Sequence, residues 1–194
     1  MASVVRYVHS ATLLANSKMP NYGKVLMAGG FDVIAEPFDP TAGTVTATGT
    51  MSEGRSGHTA TLLVDGTVLV TGADTTAELF SPGTETFSVV GQPSSTGYGA
   101  TATLRNDGTV LVAGGRSSAP HTVQTSAAAQ LFAPESGGFV ATGSLITARE
   151  GHTATLLVDG TVLVTGGSLS TRHCHPGGPC SGSIAVLSSA ELFQ

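Results

Sequence analysis

A fifteen-residue run, His58-Thr-Ala-Thr-Leu-Leu-Val-Asp-Gly-Thr-Val-Leu-Val-Thr-Gly72, recurs without a single change as His152–Gly166. It returns in altered form as Ala100–Gly114 and, with a longer connection, as His9–Gly29. Self-similarity of this kind confines a chain to repeat architectures, because one unit cannot bury its apolar face alone and neighbours must stack. Each copy holds two short apolar runs around a turn. Asp65-Gly66, Asp107-Gly108 and Asp159-Gly160 suit a two-residue hairpin with positive φ, and the first copy connects through Asn16 to Gly23.

A third apolar run follows each hairpin, at Ala35–Phe38, Ala77–Phe80, Ala129–Phe132 and Ala190–Phe193. The first three lead to Pro40, Pro82 and Pro134, which cannot donate to a ladder and so end it. A fourth run comes after, at Thr44–Thr48, Thr86–Val90 and Gly138–Thr142. Four antiparallel strands in about 40–50 residues are the size of a propeller blade. The sequence therefore predicts an all-β, single-domain β-propeller over residues 1–194, with repeats at about 6–51, 55–92, 97–145 and 149–194. Composition agrees: 26 glycines and only 11% charged residues, against about 25% charged in an ordinary domain, describe short strands and tight turns.

The pattern resembles the kelch repeat. The motif reads Arg55-Ser-Gly-His58, then Gly29-Gly30, Gly114-Gly115 and Gly166-Gly167 at the ends of second strands, then Phe80, then Phe87 or Phe139. It extends over nearly the whole chain. Kelch blades usually carry Tyr in the third strand and Trp in the fourth, where this chain has Phe in strand three and Val45, Phe87 and Phe139 in strand four. The variant is similar to the propeller frame of galactose oxidase without its copper site. The resemblance implies stacked blades, with each Gly-Gly pair allowing close approach between neighbours.

The last repeat lacks a fourth run, so three blades are complete within the repeat register. Three routes would close the ring: Met1–Val5 as a strap, a second copy, or further blades of a longer polypeptide.

The few charges recur together. Arg6, Arg55 and Arg149 share one repeat position, His9, His58 and His152 a second, and Glu36, Glu78 and Glu191 a third. The remaining repeat has Gly97, Ala100 and Gln130 at those positions, losing all three groups at once. Joint loss is expected of a buried, mutually satisfied cluster, because removing one charge strands its partner.

Function is expected in the connections between strands two and three, since binding residues concentrate on loops. These are short at Phe31–Ile34 and 74–76 but long at 116–128 and 168–189. The long ones carry the candidate ligand-binding residues Arg116, His121, Arg172, His173 and His175. A Cys174–Cys180 disulfide closing the Pro-Gly-Gly-Pro loop is the simplest reading of that segment. Free thiols and a zinc or copper site are the alternatives. No metal or other cofactor is expected, and the His-Cys-His run lacks zinc-finger spacing. Only Tyr7, Tyr22 and Tyr98 exist, none beside a His/Cys set fit for an oxidase copper centre. No nucleophile elbow or phosphate-binding glycine loop occurs, so no enzymatic activity is expected. The net charge of −5 and the two lysines argue against nucleic acid, and no apolar stretch is long enough for a spanning helix. The expected role is a binding module for a protein or glycan, with self-assembly through the open blade edge as the alternative. The low charge and Thr/Ser-rich strands lean toward an extracellular or surface setting.

Overall fold

The computed structural model describes residues 5–73, 75–93, 97–119, 122–174 and 180–194, and the side chains of 118, 119, 173, 174 and 180 fall outside that description. The chain forms two compact units, Met1–Gln92 and Pro93–Gln194. No helix occurs among the described residues.

In the first unit, β1 (Ser10–Leu13), β2 (Val25–Ala28), β3 (Ala35–Asp39) and β4 (Thr44–Val45) pair in that order as one antiparallel sheet. Then β5 (Thr59–Leu62), β6 (Val68–Thr71), β7 (Ala77–Ser81) and β8 (Thr86–Gly91) repeat the arrangement. The fourth strand of the first sheet is the shorter, because Pro37 stands in β3 where β7 has Leu79. Thr46 can still donate to the Pro37 carbonyl at 3.2 Å, but Pro37 has no N–H to return. Leu26, Ala28, Val68, Val70 and Phe80 from the two sheets meet in one core.

The second unit runs β9 (Thr101–Leu104), β10 (Val110–Ala113), β11 (Arg116–Ala119), β12 (Thr122–Thr125), β13 (Ala129–Ala133) and β14 (Gly138–Ala141). It continues as β15 (Thr153–Leu156), β16 (Val162–Thr165), β17 (Ser168–Cys174), β18 (Cys180–Val186) and β19 (Ala190–Phe193). Strands β9, β10, β13 and β14 form a four-stranded sheet in repeat register, and β15, β16 and β19 form a three-stranded one. Leu111, Ala113, Val162 and Val164 form the core of this unit. As the repeat pattern anticipates, β19 has no outer neighbour among the described residues. Residues 1–4, most of the expected strap, lie outside the described residues.

Four repeats predict four sheets; the described residues form five. The two long connections fold into hairpins, β11–β12 and β17–β18, that join edge to edge as β11-β12-β17-β18. At the junction the buried Thr125 Oγ1 accepts from Ser170 N–H at 2.7 Å and donates to Ser170 O at 3.0 Å.

The hairpin turns also differ from expectation. Leu63 N–H donates to Thr67 O at 2.8 Å, enclosing Val64-Asp65-Gly66 as a three-residue loop. Only the glycine takes positive φ, at +93°, because Asp65 Oδ1 instead accepts from Thr67 N–H (2.9 Å) and Thr67 Oγ1 (2.7 Å). An Asx-type bond of this kind holds the turn while the αL residue forms the bulge. The same bonds recur at Asp107–Thr109 and Asp159–Thr161.

Neighbouring repeats within each unit approach closely at Gly29 and Gly114, the first glycines of their Gly-Gly pairs. A Cβ on Gly29 would lie 2.6 Å from both Arg55 O and His58 Cε1, and one on Gly114 would lie 2.5 Å from Arg149 O. Both glycines have positive φ, so space and backbone geometry demand the same residue.

Candidate functional site

Three arginines staple their blades from inside. Arg6 pairs with Glu36 at 2.8 Å, Arg55 with Glu78 at 2.9 Å and Arg149 with Glu191 at 2.8 Å, every side chain being at most 7% exposed. Each guanidinium also donates to carbonyls at both ends of the connection between strands two and three. The acceptors are Gly29 O and Ile34 O for Arg6, Gly72 O and Thr76 O for Arg55, and Gly166 O and Ser189 O for Arg149. The last pair lies on either side of the inserted β17–β18 hairpin, so Arg149 holds the blade shut beneath it.

The histidines do not join these pairs. His58 Nε2 hydrogen-bonds Ser10 Oγ at 2.8 Å and His152 Nε2 hydrogen-bonds Thr101 Oγ1 at 2.9 Å, each on the first strand of the preceding repeat. Burial, and then the nearby Arg55 or Arg149, lowers both histidine pKa values to about 4. His9 is exposed.

Of the candidate ligand residues with described side chains, Arg116 and Arg172, the first is drawn into a built site. Its guanidinium carbon lies 5.0 Å from the centre of the Tyr98 ring, and its Nε lies 3.3 Å from Glu150 Oε2. Backbone pairing fixes the geometry: Arg116 N–H donates to Tyr98 O at 2.9 Å, and Glu150 and Ser168 exchange bonds of 3.0 and 2.9 Å. These contacts seat the first residues of β11 and β17 against the segments leading into β9 and β15. Between them opens a cleft of about 230 Å³, lined by Tyr98, Arg116, Glu150, Ser168, Ser170 and Ile184 among others. Glu150 is 6% exposed, and its Oε1 is buried without a hydrogen-bond partner among the described residues. Tyr98 remains 41% exposed despite the guanidinium over its ring.

Arg172 is exposed on β17, with its backbone opposite Val123 and Gly182, away from this cleft lining. His121 and His175 lie outside the described residues, as do the side chains of His173, Cys174 and Cys180. The backbone register sets Cys174 directly opposite Cys180. Among the described residues no group of three or more His, Cys, Asp or Glu is placed to hold a metal ion.

The cleft explains why repeat three lacks its arginine. A Cβ on Gly97 would fall 1.7 Å from Arg116 O, so β11 can start there only over a glycine. Tyr98 and Glu150 were not legible as site residues from sequence. The available signal was positional: both follow the arginine position, where the repeats differ as Tyr7, Ser56, Tyr98 and Glu150. Tyr7 occupies the same place in repeat one and stacks on Phe31, with ring centres 6.2 Å apart.

No family model matches this chain, and no curated protein matches it in sequence. Among solved structures, that of YjhT is similar with a TM-score of 0.67 at 12% identity, covering 97% of this chain and 67% of that one. At such identity the likeness speaks for fold alone. It supports an all-β, propeller-like fold.

Proposed function

We propose that this chain is a non-catalytic binding module of four kelch-type blades, which recognises a protein or glycan at the foot of the hairpin sheet added by repeats three and four. One observation carries the reading. A buried carboxylate oxygen, Glu150 Oε1, has no partner among the described residues in a cleft that also presents Arg116 and an accessible aromatic ring. Of the six buried side-chain atoms without a partner among the described residues, this one lines the cleft, and leaving it so costs about 1–3 kcal/mol. A ligand donor would relieve that cost.

The Ser10–His58 pair has the spacing of a nucleophile and its base, yet it supports structure rather than catalysis. Among the described residues His58 Nδ1 is buried without a partner, and none supplies the third group that orients the ring in a hydrolytic triad.

The test is capture on glycan and peptide arrays by the full chain and by Tyr98→Ala and Glu150→Gln variants. Capture lost in both variants is expected. Capture retained in both moves binding elsewhere, and capture of nothing removes the proposal.

One observation favours assembly as a second reading. Phe80 and Phe132 are fully buried beneath Phe87 and Phe139 of their fourth strands, at centroid distances of 5.0 and 5.3 Å. Phe193 has no such strand beside it among the described residues, and β19 presents an open edge suited to β-augmentation. Light scattering of the purified chain decides this: a dimer or larger ring supports it, and a monomer at all concentrations eliminates it.

A further inference from the structure

We infer that the ligand of the Tyr98–Arg116–Glu150 cleft is a neutral saccharide ring, recognised through two adjacent hydroxyl groups. The inference rests on the binding reading above and gives it a chemical class. The site's charges decide the matter first. Arg116 and Glu150 lie 3.3 Å apart and cancel, so the cleft holds one cation and one anion with no net charge. A carboxylate or phosphate ligand would gain from Arg116 but face Glu150. An ammonium would gain from Glu150 but face Arg116. A neutral ligand meets neither repulsion, and desolvates no unmatched charge on entry.

The unsatisfied groups then specify what that ligand offers. Glu150 Oε1 needs a donor, because an ionised carboxylate only accepts. Arg116 meets Glu150 at Nε in the ion pair, and a guanidinium has five N–H donors, so it can supply a donor to a second oxygen. One hydroxyl donating to the carboxylate and its neighbour accepting from the guanidinium is what a sugar diol supplies. An extended peptide also presents one residue's N–H and C=O on the same side, so the shape of the cleft separates the two classes.

Shape supports the same class. Tyr98 offers an accessible aromatic surface and Ile184 an apolar rim, for the C–H face of a ring. The volume of about 230 Å³ lies below the roughly 300–1,000 Å³ of sites for drug-sized ligands, which suits a single ring or a chain end.

Saturation-transfer NMR and isothermal titration on the full chain test this with three probes: a panel of neutral methyl hexopyranosides, glucuronate and glucosamine. At least one methyl hexopyranoside is expected to bind with about millimolar affinity. That affinity should be unchanged by salt between about 50 and 500 mM, since a neutral ligand has no charge to screen. Glu150→Gln and Arg116→Gln should each weaken it by about tenfold or more, the effect of losing a hydrogen bond to a charged group, measured on protein whose circular dichroism spectrum matches that of the parent chain. Should one variant fail to fold, the other carries the same test. Tighter, salt-sensitive binding of glucuronate or glucosamine that both variants abolish would overturn the neutral class and leave the cleft as the site. Pyranoside binding untouched by either variant would overturn the location. Absence of binding by every pyranoside up to about 20 mM would overturn the inference, and the array experiment would then show whether a peptide takes the cleft instead.

Discussion

The buried pair Arg55–Glu78 gives the sharpest test of how these blades are held. Both side chains are at most 2% exposed. Arg55 donates to Glu78 Oε1, to Thr76 O and Oγ1 at 2.6 Å each, and to Gly72 O, while Glu78 Oε2 accepts from Ser52 N–H at 2.9 Å. Glu78→Gln preserves shape and, with its one oxygen toward Ser52, that bond, but it removes the negative charge and turns an amide donor toward the guanidinium. It leaves a guanidinium in the core without its counter-ion, at a cost of about 3–5 kcal/mol. For a chain of this length that lowers the melting temperature by about 6–20 °C, at about 2–4 °C per kcal/mol. Arg55→Met strands the carboxylate and the carbonyls at a similar cost. The double variant, however, removes both charges, and should cost about 2–3 kcal/mol less than the sum of the singles, within the range seen for contacting residues. Urea unfolding followed by circular dichroism measures all four species. Single costs that add to within about 0.5 kcal/mol, or a Glu78→Gln cost below about 1 kcal/mol, would refute the argument.

Three further outcomes follow from the same geometry. The two buried histidines are neutral in the fold, with pKa values lowered to about 4 against 6.5 when unfolded. Between pH 6.5 and about 4 the unfolded chain therefore binds more protons, so stability is full above pH 6.5 and falls as pH drops through this window. His58→Gln with His152→Gln should flatten that slope in urea midpoints taken across the window. Gly29→Ala and Gly114→Ala should cost more than Gly43→Ala in thermal melts. All three have positive φ, worth about 1–2 kcal/mol for a side chain, but only the first two meet atoms within 2.7 Å, adding about 1–3 kcal/mol of overpacking. Finally, directly paired antiparallel residues have Cα atoms about 4.5–5.5 Å apart, within the 4.4–6.8 Å that a disulfide spans. Air-oxidised protein should therefore show no alkylatable thiol by mass spectrometry, and two labels after reduction, because Cys174 and Cys180 are register partners.

Strands one to three of each repeat, and the fourth in the first three, were legible because a recurring run leaves little choice of register. The joint recurrence of Arg and Glu likewise marked a pair that the core cannot hold singly. The direction of the histidines was not legible. His58 turns to Ser10 of the preceding repeat, a contact between repeats that periodicity along one chain does not encode. The Asp-Gly dipeptides located the turns but not their length, since the Asp65–Thr67 bond keeps the aspartate out of the left-handed region. Residues 168–189 read as loop from their Ser, Gly and Pro content, while the pairing that makes them a sheet lies with Thr122–Gln124, about 50 residues away in sequence. The cleft was hidden for a related reason. Tyr98 and Glu150 stand where the repeats disagree, and repetition directs attention to where they agree.

The join between β12 and β17 also bears on how such a chain can change over generations. In the first unit each repeat is a closed cassette, every strand of its sheet coming from that repeat, so duplication or exchange carries a whole sheet along. In the second unit the last two repeats share a sheet, and excising or duplicating either would leave a row of backbone donors and acceptors open to solvent. Those two repeats are bound to be inherited together, and any drift in the length of one hairpin must be answered in the other.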